Sequence, residues 1–338
     1  MKSLAKHTLA AALLAAAAFN THAADTIKVF FLAGQSNMVG VGRLELGHDG
    51  LEDRDGAIGS LRYEVDNDPA KYGHLVDGNG DWVTRSDVWV WSRNGVGKNT
   101  NDSTGDLAMT FGRTPGYFGP EVGIGHVLGE HYDEQVVLVK TAWGGKSLYK
   151  DFRSPTAVEK RGGTVGAHYT LMVEAMQEAL TAIDTRYSGQ TIEIEGLFWH
   201  QGWNDRAKAI AIAEYEANFN DLITDLSSAL STPDLKVVIG TTSVGEDVDH
   251  DPANYNLNHS PESPRRRTQD IVAAQIAIAK GNDDVTVVNT RDFWRDYDGD
   301  GGEYSPRDEI EHWNQNGESY YLIGESMGEA MLTLVPKP

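Results

Sequence analysis

Thr26-Ile27-Lys28-Val29-Phe30-Phe31-Leu32-Ala33-Gly34-Gln35-Ser36-Asn37-Met38 is the stretch from which the rest of the chain can be read. Its first seven residues are β-branched or apolar with one interruption, the composition of a strand covered on both faces. Gly34 ends the run and permits a sharp turn, which brings Ser36 to the carboxyl end of the strand. Similar short runs recur at residues 88–91, 135–140, 192–199, 236–239 and 285–288. Helical patterns stand between them, at 121–132, 168–183, 210–230, 267–280 and 318–332. Leu171, Ala175, Met176 and Leu180 share one face of the second pattern, and Ile323, Met327 and Met331 form a stripe in the last. Strands alternating with helices predict an α/β fold, a three-layer α/β/α sandwich around a parallel sheet. Residues 40–82 and 93–119 are polar and rich in Gly, Asp, Asn or Thr, and they read as long surface loops.

Composition narrows the chemistry. The 338 residues include 36 Gly and 11 Pro but no Cys, so a disulfide scaffold, a thiolate metal site and a cysteine nucleophile are excluded. Fifty acidic residues against 29 basic ones give a formal charge of −21, which argues against nucleic acid or anionic membranes as partners. The N-terminus reads as a targeting segment. Lys2 and Lys6 precede an apolar run at 9–19, and Thr21-His22-Ala23 puts small residues at a cleavage site. Residues 1–23 are therefore expected to be a signal peptide and 24–338 one domain. Loss of Lys2 and Lys6 would take the charge from −21 to −23. Export and the lack of Cys together predict a bacterial periplasmic or secreted protein, free of the membrane after cleavage.

Four positions carry the candidate chemistry. Ser36 follows the first strand, where a serine either caps the next helix or points its hydroxyl into a crevice. Another strand ends in Ala142-Trp143-Gly144-Gly145-Lys146-Ser147, whose Gly pair is either an ordinary turn or a source of backbone donors. The next ends in His200-Gln201-Gly202-Trp203-Asn204-Asp205, where a carboxamide could donate to an oxyanion. His312, in Glu309-Ile310-Glu311-His312-Trp313-Asn314, precedes the last helix, which can fold back over the first strand's end.

In this order, Gly34-Gln35-Ser36-Asn37-Met38, Ala142-Trp143-Gly144-Gly145, His200-Gln201-Gly202 and a late histidine resemble the SGNH (GDSL-like) hydrolase superfamily. More narrowly they resemble its sialate O-acetylesterase branch, with the carbohydrate esterase family 6 enzymes. The resemblance implies a flavodoxin-like sandwich with a parallel sheet of about five strands, and ester hydrolysis without metal or organic cofactor. It makes Ser36 the nucleophile and His312 the general base, with the amides of Ser36 and Gly145 (or Gly144) and the Gln201 side chain as oxyanion donors. The substrate it implies is an acetylated carbohydrate, from sialic acid or a plant or algal polysaccharide.

Two departures stand out. Glu309 occupies the place where the superfamily often has the Asp of Asp-x-x-His, so Glu309 is expected to orient His312, with Asp308, Glu311, Asp292 or a backbone carbonyl as alternatives. Trp203 replaces the glutamate of the family's common His-Gln-Gly-Glu. Trp143, Trp203 and Trp313 each lie within two residues of a site position and offer indole faces to a pyranose, or else pack the core. Lys146 and Arg153 could contact substrate, and Arg153 could meet a sugar carboxylate. Asp296, Asp298 and Asp300 resemble the start of a calcium loop, but Arg307 stands where an EF-hand needs Glu, so a structural calcium is a minor expectation and a solvated acidic turn the main one. The expected activity is that of a serine esterase deacetylating carbohydrates. The alternatives are a lipase, arylesterase or thioesterase of the same superfamily, and a non-catalytic carbohydrate-binding protein.

Overall fold

The apolar runs pair side by side as strands, because only pairing satisfies their backbone groups once both faces are covered. The computed structural model describes residues 26–45, 58–96, 99–242, 263–297 and 305–335. In chain order its elements are β1 (Thr26–Gly34), α1 (Ser36–Val39), β2 (Gly42–Arg43), α2 (Leu61–Asn67), α3 (Pro69–Tyr72), β3 (Arg85–Val96), β4 (Asn99–Leu107), β5 (Tyr117–Phe118), α4 (Glu121–His131), β6 (Gln135–Gly144), α5 (Pro155–Arg161), α6 (Ala167–Arg186), β7 (Thr191–His200), α7 (Ala209–Ala229), β8 (Lys236–Gly240), α8 (Pro264–Lys280), β9 (Val285–Val288) and α9 (Gly317–Leu334). The expected signal segment, 1–23, lies outside the described residues.

The main sheet has seven strands in the order β4-β3-β6-β1-β7-β8-β9, and β2 pairs with β5 separately. Every neighbouring pair in the main sheet is parallel except β3 with β4. Alternation along each strand feeds two cores. Phe30, Leu32, Val136, Leu138 and Phe198 face the layer that holds α4 and α9. Val29, Phe31, Val137, Val139 and Trp199 face the layer of α6 and α7. Ile323, Met327 and Met331, the stripe read from the sequence, are fully buried.

The sheet is wider than the five strands implied by the resemblance. The stretch 93–119 is not simply loop: it supplies the end of β3 and all of β4, an antiparallel hairpin at the sheet's edge. Backbone pairing needs no apolar side chain, and an edge strand with a wet face tolerates Asn, Thr and Asp, so the apolar pattern carries no sign of it. Within 40–82 the structure forms α2 and α3, each capped by a side chain. Ser60 Oγ accepts from Tyr63 N–H at 3.2 Å, and Asp68 Oδ1 from Lys71 N–H at 3.3 Å.

After β1 the chain crosses to the α4/α9 face, whereas after β6, its neighbour, it crosses to the α6/α7 face. Connections leaving adjacent strand ends in opposite directions open a crevice there. A buried ion pair underpins it. Lys140 Nζ, fully enclosed on β6, donates to Glu121 Oε2 at 2.7 Å and to the carbonyls of Val39 and Phe111, both at 2.8 Å. Glu121 Oε1 accepts from Gly119 N–H at 2.8 Å. Burial pulls the Lys140 pKa down and Glu121 opposes it. Because Val39 ends α1, this ammonium holds the short helix that Ser36 begins.

Removing one member of such a pair strands a buried charge. Lys140→Met is expected to lower the unfolding free energy by about 3–5 kcal/mol in urea titrations. The double variant Lys140→Met/Glu121→Leu should lose less than Lys140→Met alone.

Candidate active site

The turn that presents Ser36 is set by contact between strands. Gly34 lies against β7 so closely that a Cβ would stand 2.3 Å from the His200 carbonyl oxygen. Gln35 N–H donates to that same oxygen at 3.1 Å. The chain then enters α1 with Ser36 at its first turn, where an amide has no helical carbonyl to bond. Gln35 Oε1 accepts from the amides of Gly202 and Asn204, at 3.3 and 3.2 Å, and so fastens this turn to the segment after β7.

His312 arrives from the far end of the chain. Its Nε2 lies 2.9 Å from Ser36 Oγ, and its Nδ1 lies 2.7 Å from Glu309 Oε1. The His312 hydrogen bond is the main influence holding the Glu309 carboxyl down at about 2, against the effect of burial. An ionised carboxylate only accepts, so Nδ1 carries the proton and Nε2 is free to accept from the serine hydroxyl. Of the acids considered from sequence, Glu309 is the one that reaches His312. Asp292 instead accepts from Asn289, and Glu311 offers its backbone carbonyl to Asn37 Nδ2 at 2.9 Å.

The turn carrying His312 is strained. Trp313, Asn314 and Gln315 have φ of +46°, +51° and +57°, a conformation that costs non-glycine residues about 1–3 kcal/mol each. Surrounding bonds hold it. Asn314 Oδ1 accepts from Glu309 N–H at 3.0 Å, and its Nδ2 donates to the Arg295 carbonyl at 3.0 Å. Gln315 Nε2 donates to Glu309 Oε2, while its Oε1 accepts from Arg43 Nε at 2.9 Å. Arg43 has only donors, so it determines which way the Gln315 amide points.

Ser36, Glu309 and His312 line a cavity of about 430 Å³ together with Arg113, Gly145 and Trp203. Gly145, at φ +71°, has open space where a Cβ would be. Its carbonyl accepts from Asn204 Nδ2 at 2.8 Å. Trp203 lines the cavity with the Arg206 guanidinium 3.5 Å from its ring centroid.

Other expected residues lie elsewhere. Gln201 is buried, and its amide donates to Asp205 Oδ2 at 2.6 Å and to the Lys146 carbonyl at 3.0 Å, so it does not face the cavity as an oxyanion donor. Trp143 is packed against Phe152 and His168, and Trp313 against His200; both are core rather than sugar platforms. Their indoles follow strand-end and loop positions that the tertiary fold turns inward. Arg153 is buried too, held by Glu214 at 3.0 Å and by the Gly162 carbonyl at 2.9 Å, a structural pair rather than a free cation. Lys146 is half-buried and outside the cavity lining.

This serine–histidine–carboxylate row at a strand end has a counterpart in sequence. Residues 26–285 match the family described as carbohydrate esterase, sialic acid-specific acetylesterase. The chain belongs to this family. It is accordingly a carbohydrate O-acetylesterase. No curated protein matches it significantly. Among solved structures, the esterase is similar to a protein from Arabidopsis thaliana, with TM-score 0.53, 17% identity, and coverage of 90% of this chain and 98% of that one. It is also similar to NanS, with TM-score 0.50, 14% identity and coverage of 92% and 98%. A carbohydrate acetylesterase from Xanthomonas citri aligns with TM-score 0.48 and 12% identity, over 89% of this chain and 56% of that one. At these identities the first two support the fold alone.

Among the described residues, one group could hold a cation. Donor atoms of Glu309, Glu311 and His312 lie within 4.8 Å of one another. A cation there would occupy the histidine that reaches Ser36. In the acidic loop, Asp296 Oδ1 accepts from Trp294 Nε1 at 2.6 Å, while Asp298 and Asp300 lie outside the described residues.

Sequence reasoning missed the residues that brace the esterase's site. Asp205 is buried and accepts from the amides of Leu148 and Tyr149, both at 2.8 Å, as well as from Gln201. Burial pushes its carboxyl up to about 6. It ties the loop after β6, and so Gly145, to the segment after β7. Asn37 accepts from Tyr320 O–H at 2.7 Å while donating to Glu311, which joins α1 and α9 to the His312 turn. Only the run of polar residues after an apolar strand hinted at either role.

Asp205→Asn puts an amide donor among three donors, and a displacement of about 1 Å at Gly145 can cost roughly 10²-fold in rate. The variant should fold and should lose kcat by about that factor on 4-nitrophenyl acetate. Because folding holds the Glu309 carboxyl near 2, its stabilising contribution is complete above the ordinary carboxylate range and is lost as pH falls from about 4.5 through about 2. Urea midpoints of the wild type should therefore drop more steeply over that window than those of Glu309→Gln.

Proposed function

We propose that the chain is an exported serine esterase that removes O-acetyl groups from carbohydrates through an acetyl-Ser36 intermediate. One observation carries the mechanism: Ser36 Oγ, both ring nitrogens of His312 and Glu309 Oε1 form a continuous row, with contacts of 2.9 and 2.7 Å.

His312 Nε2 takes the Ser36 proton as Oγ attacks the acetyl carbonyl carbon. Glu309 stays ionised and stabilises the imidazolium that forms. The carbonyl oxygen gains negative charge and is met by the amides of Ser36 and Gly145. With Gln201 turned inward, Asn204 assists indirectly by holding the Gly145 carbonyl, which belongs to the peptide that follows the Gly145 amide and so steadies the turn just after it. Collapse of the intermediate breaks the ester C–O bond, and His312 returns the proton to the departing sugar hydroxyl. A water then attacks the acetyl-enzyme, giving its proton to His312, and acetate leaves with Ser36 restored.

The export component rests on Lys2, Lys6, the apolar run and Thr21-His22-Ala23. No helix among the described residues is long and apolar enough to cross a membrane.

Ser36→Ala should abolish acetate release from acetylated glycans and from 4-nitrophenyl acetate while leaving the circular dichroism spectrum and Tm in place. Turnover at the wild-type rate would remove Ser36 as nucleophile. Glu309→Gln should lower kcat by roughly 10³–10⁴-fold, whereas Asp308→Asn should stay close to wild type.

A further inference from the structure

The catalytic cavity does not end at Ser36. A second cavity, of about 260 Å³, shares Gly145 and Asn204 with it. A third, of about 180 Å³, shares Tyr149 and Lys150 with the second. The three form one path over the carboxyl ends of β6 and β7, from the reactive serine to Gly162 and Gly163. A single acetylated sugar needs only the first.

Charge along this path runs against the rest of the molecule. The chain carries a formal −21, and elsewhere its cations are mostly engaged: Lys28, Arg85, Arg93 and Lys236 each hold a carboxylate. Arg113 in the first cavity, Lys150 in the second and third, and Lys208 in the second are exposed and have no carboxylate partner among the described residues. Two acids line the same path; they keep their charge but are already hydrogen-bonded, and the three exposed cations outnumber them. Glu309 is bonded to His312 and Gln315. Asp151 Oδ2 accepts from the Ser147 amide at 2.9 Å and from its hydroxyl at 3.0 Å. In the third cavity Arg153 and Arg161 are paired with Glu214 and Asp221. With a Debye length of about 8 Å at physiological ionic strength, a bound ligand responds to these nearby ammonium and guanidinium groups more than to the distant net charge.

The path also carries two aromatic rings of matching construction. Trp203 in the first cavity has the Arg206 guanidinium 3.5 Å from its ring centroid, and Tyr149 in the second and third has that of Arg153 at 5.1 Å. Each guanidinium fixes its ring, which suits it to stack on the apolar C–H face of a pyranose.

From this arrangement we infer that the groove is an extended binding site for a carboxylate-bearing oligosaccharide, with the acetylated sugar at Ser36 and its neighbours over Tyr149, between Lys150 and Lys208. The inference rests on the carbohydrate esterase reading and adds chain length and charge as determinants of the substrate. Uronic acids and sialic acids share the carboxylate chemistry.

Acetate release should be measured on O-acetylated oligogalacturonides, oligosialic acids and neutral xylo-oligosaccharides of one to four sugars, with 4-nitrophenyl acetate as the small-ester reference. Wild type, Lys150→Ala/Lys208→Ala and, as a control away from the groove, Lys280→Ala would be compared. The expected result is a kcat/KM that rises with length for an acidic series above the neutral one. Divided by the value for 4-nitrophenyl acetate, it should fall about tenfold in the double variant, through KM, and stay unchanged in Lys280→Ala. The more active acidic series identifies the source of the carboxylate. A profile independent of length, a neutral series equal to the acidic ones, or an unaffected double variant would overturn the groove while leaving the esterase in place. Hydrolysis of 4-nitrophenyl acetate with no acetate released from any glycan would overturn the carbohydrate reading on which the groove rests.

Discussion

The contact between Gly34 and the His200 carbonyl is the constraint on which the site depends. β1 and β7 approach so closely at their carboxyl ends that no side chain fits between them, and Gln35 then closes the gap with a hydrogen bond. That closure directs the chain into α1 and puts Ser36 at the crevice instead of along the strand. Gln35 Oε1, Asp205 and the buried Lys140–Glu121 pair extend the same principle. Each is a buried polar group whose partners come from different segments, so each needs the whole arrangement in order to be satisfied.

The histidine side is built differently. Three successive residues after His312 adopt positive φ, and their strain is sustained by a buried tryptophan and by the amides of Asn314 and Gln315. Trp313 gives the turn an apolar anchor against His200. Gln315 ties the turn back to Glu309, whose carboxylate orients the imidazole. The strain is thus coupled to the geometry that the proposed proton transfer between Ser36 and His312 requires.

Much of this was legible in the chain. The apolar runs mark β1, β7, β8 and β9 nearly to their ends and the first part of β6, and the helical periodicities mark α4, α6, α7, α8 and α9, because both patterns are imposed by burial. Ser36, Glu309 and His312 were legible as residue types at strand and helix boundaries. The β3–β4 hairpin was not, since an edge strand is held by backbone bonds and shows no apolar signature. Gln201, Trp143, Trp313 and Arg153 carry the right chemistry in the right neighbourhood of the sequence and still point away from the cavity. Direction at a strand end changes with each successive residue and with every turn in the loop that follows.

Local order, the two-sided burial of the sheet and the choice of candidate reacting groups were determined by the sequence by itself, because periodicity and residue chemistry are local properties. Only the tertiary structure decided that Glu309, out of four nearby acids, meets His312, and that Asn204 stands beside Gly145 while Gln201 joins a buried network. It also decided where the sparse cations of an acidic protein gather. These are matters of distance between segments far apart in the chain, and such distances are set by packing rather than by any local pattern.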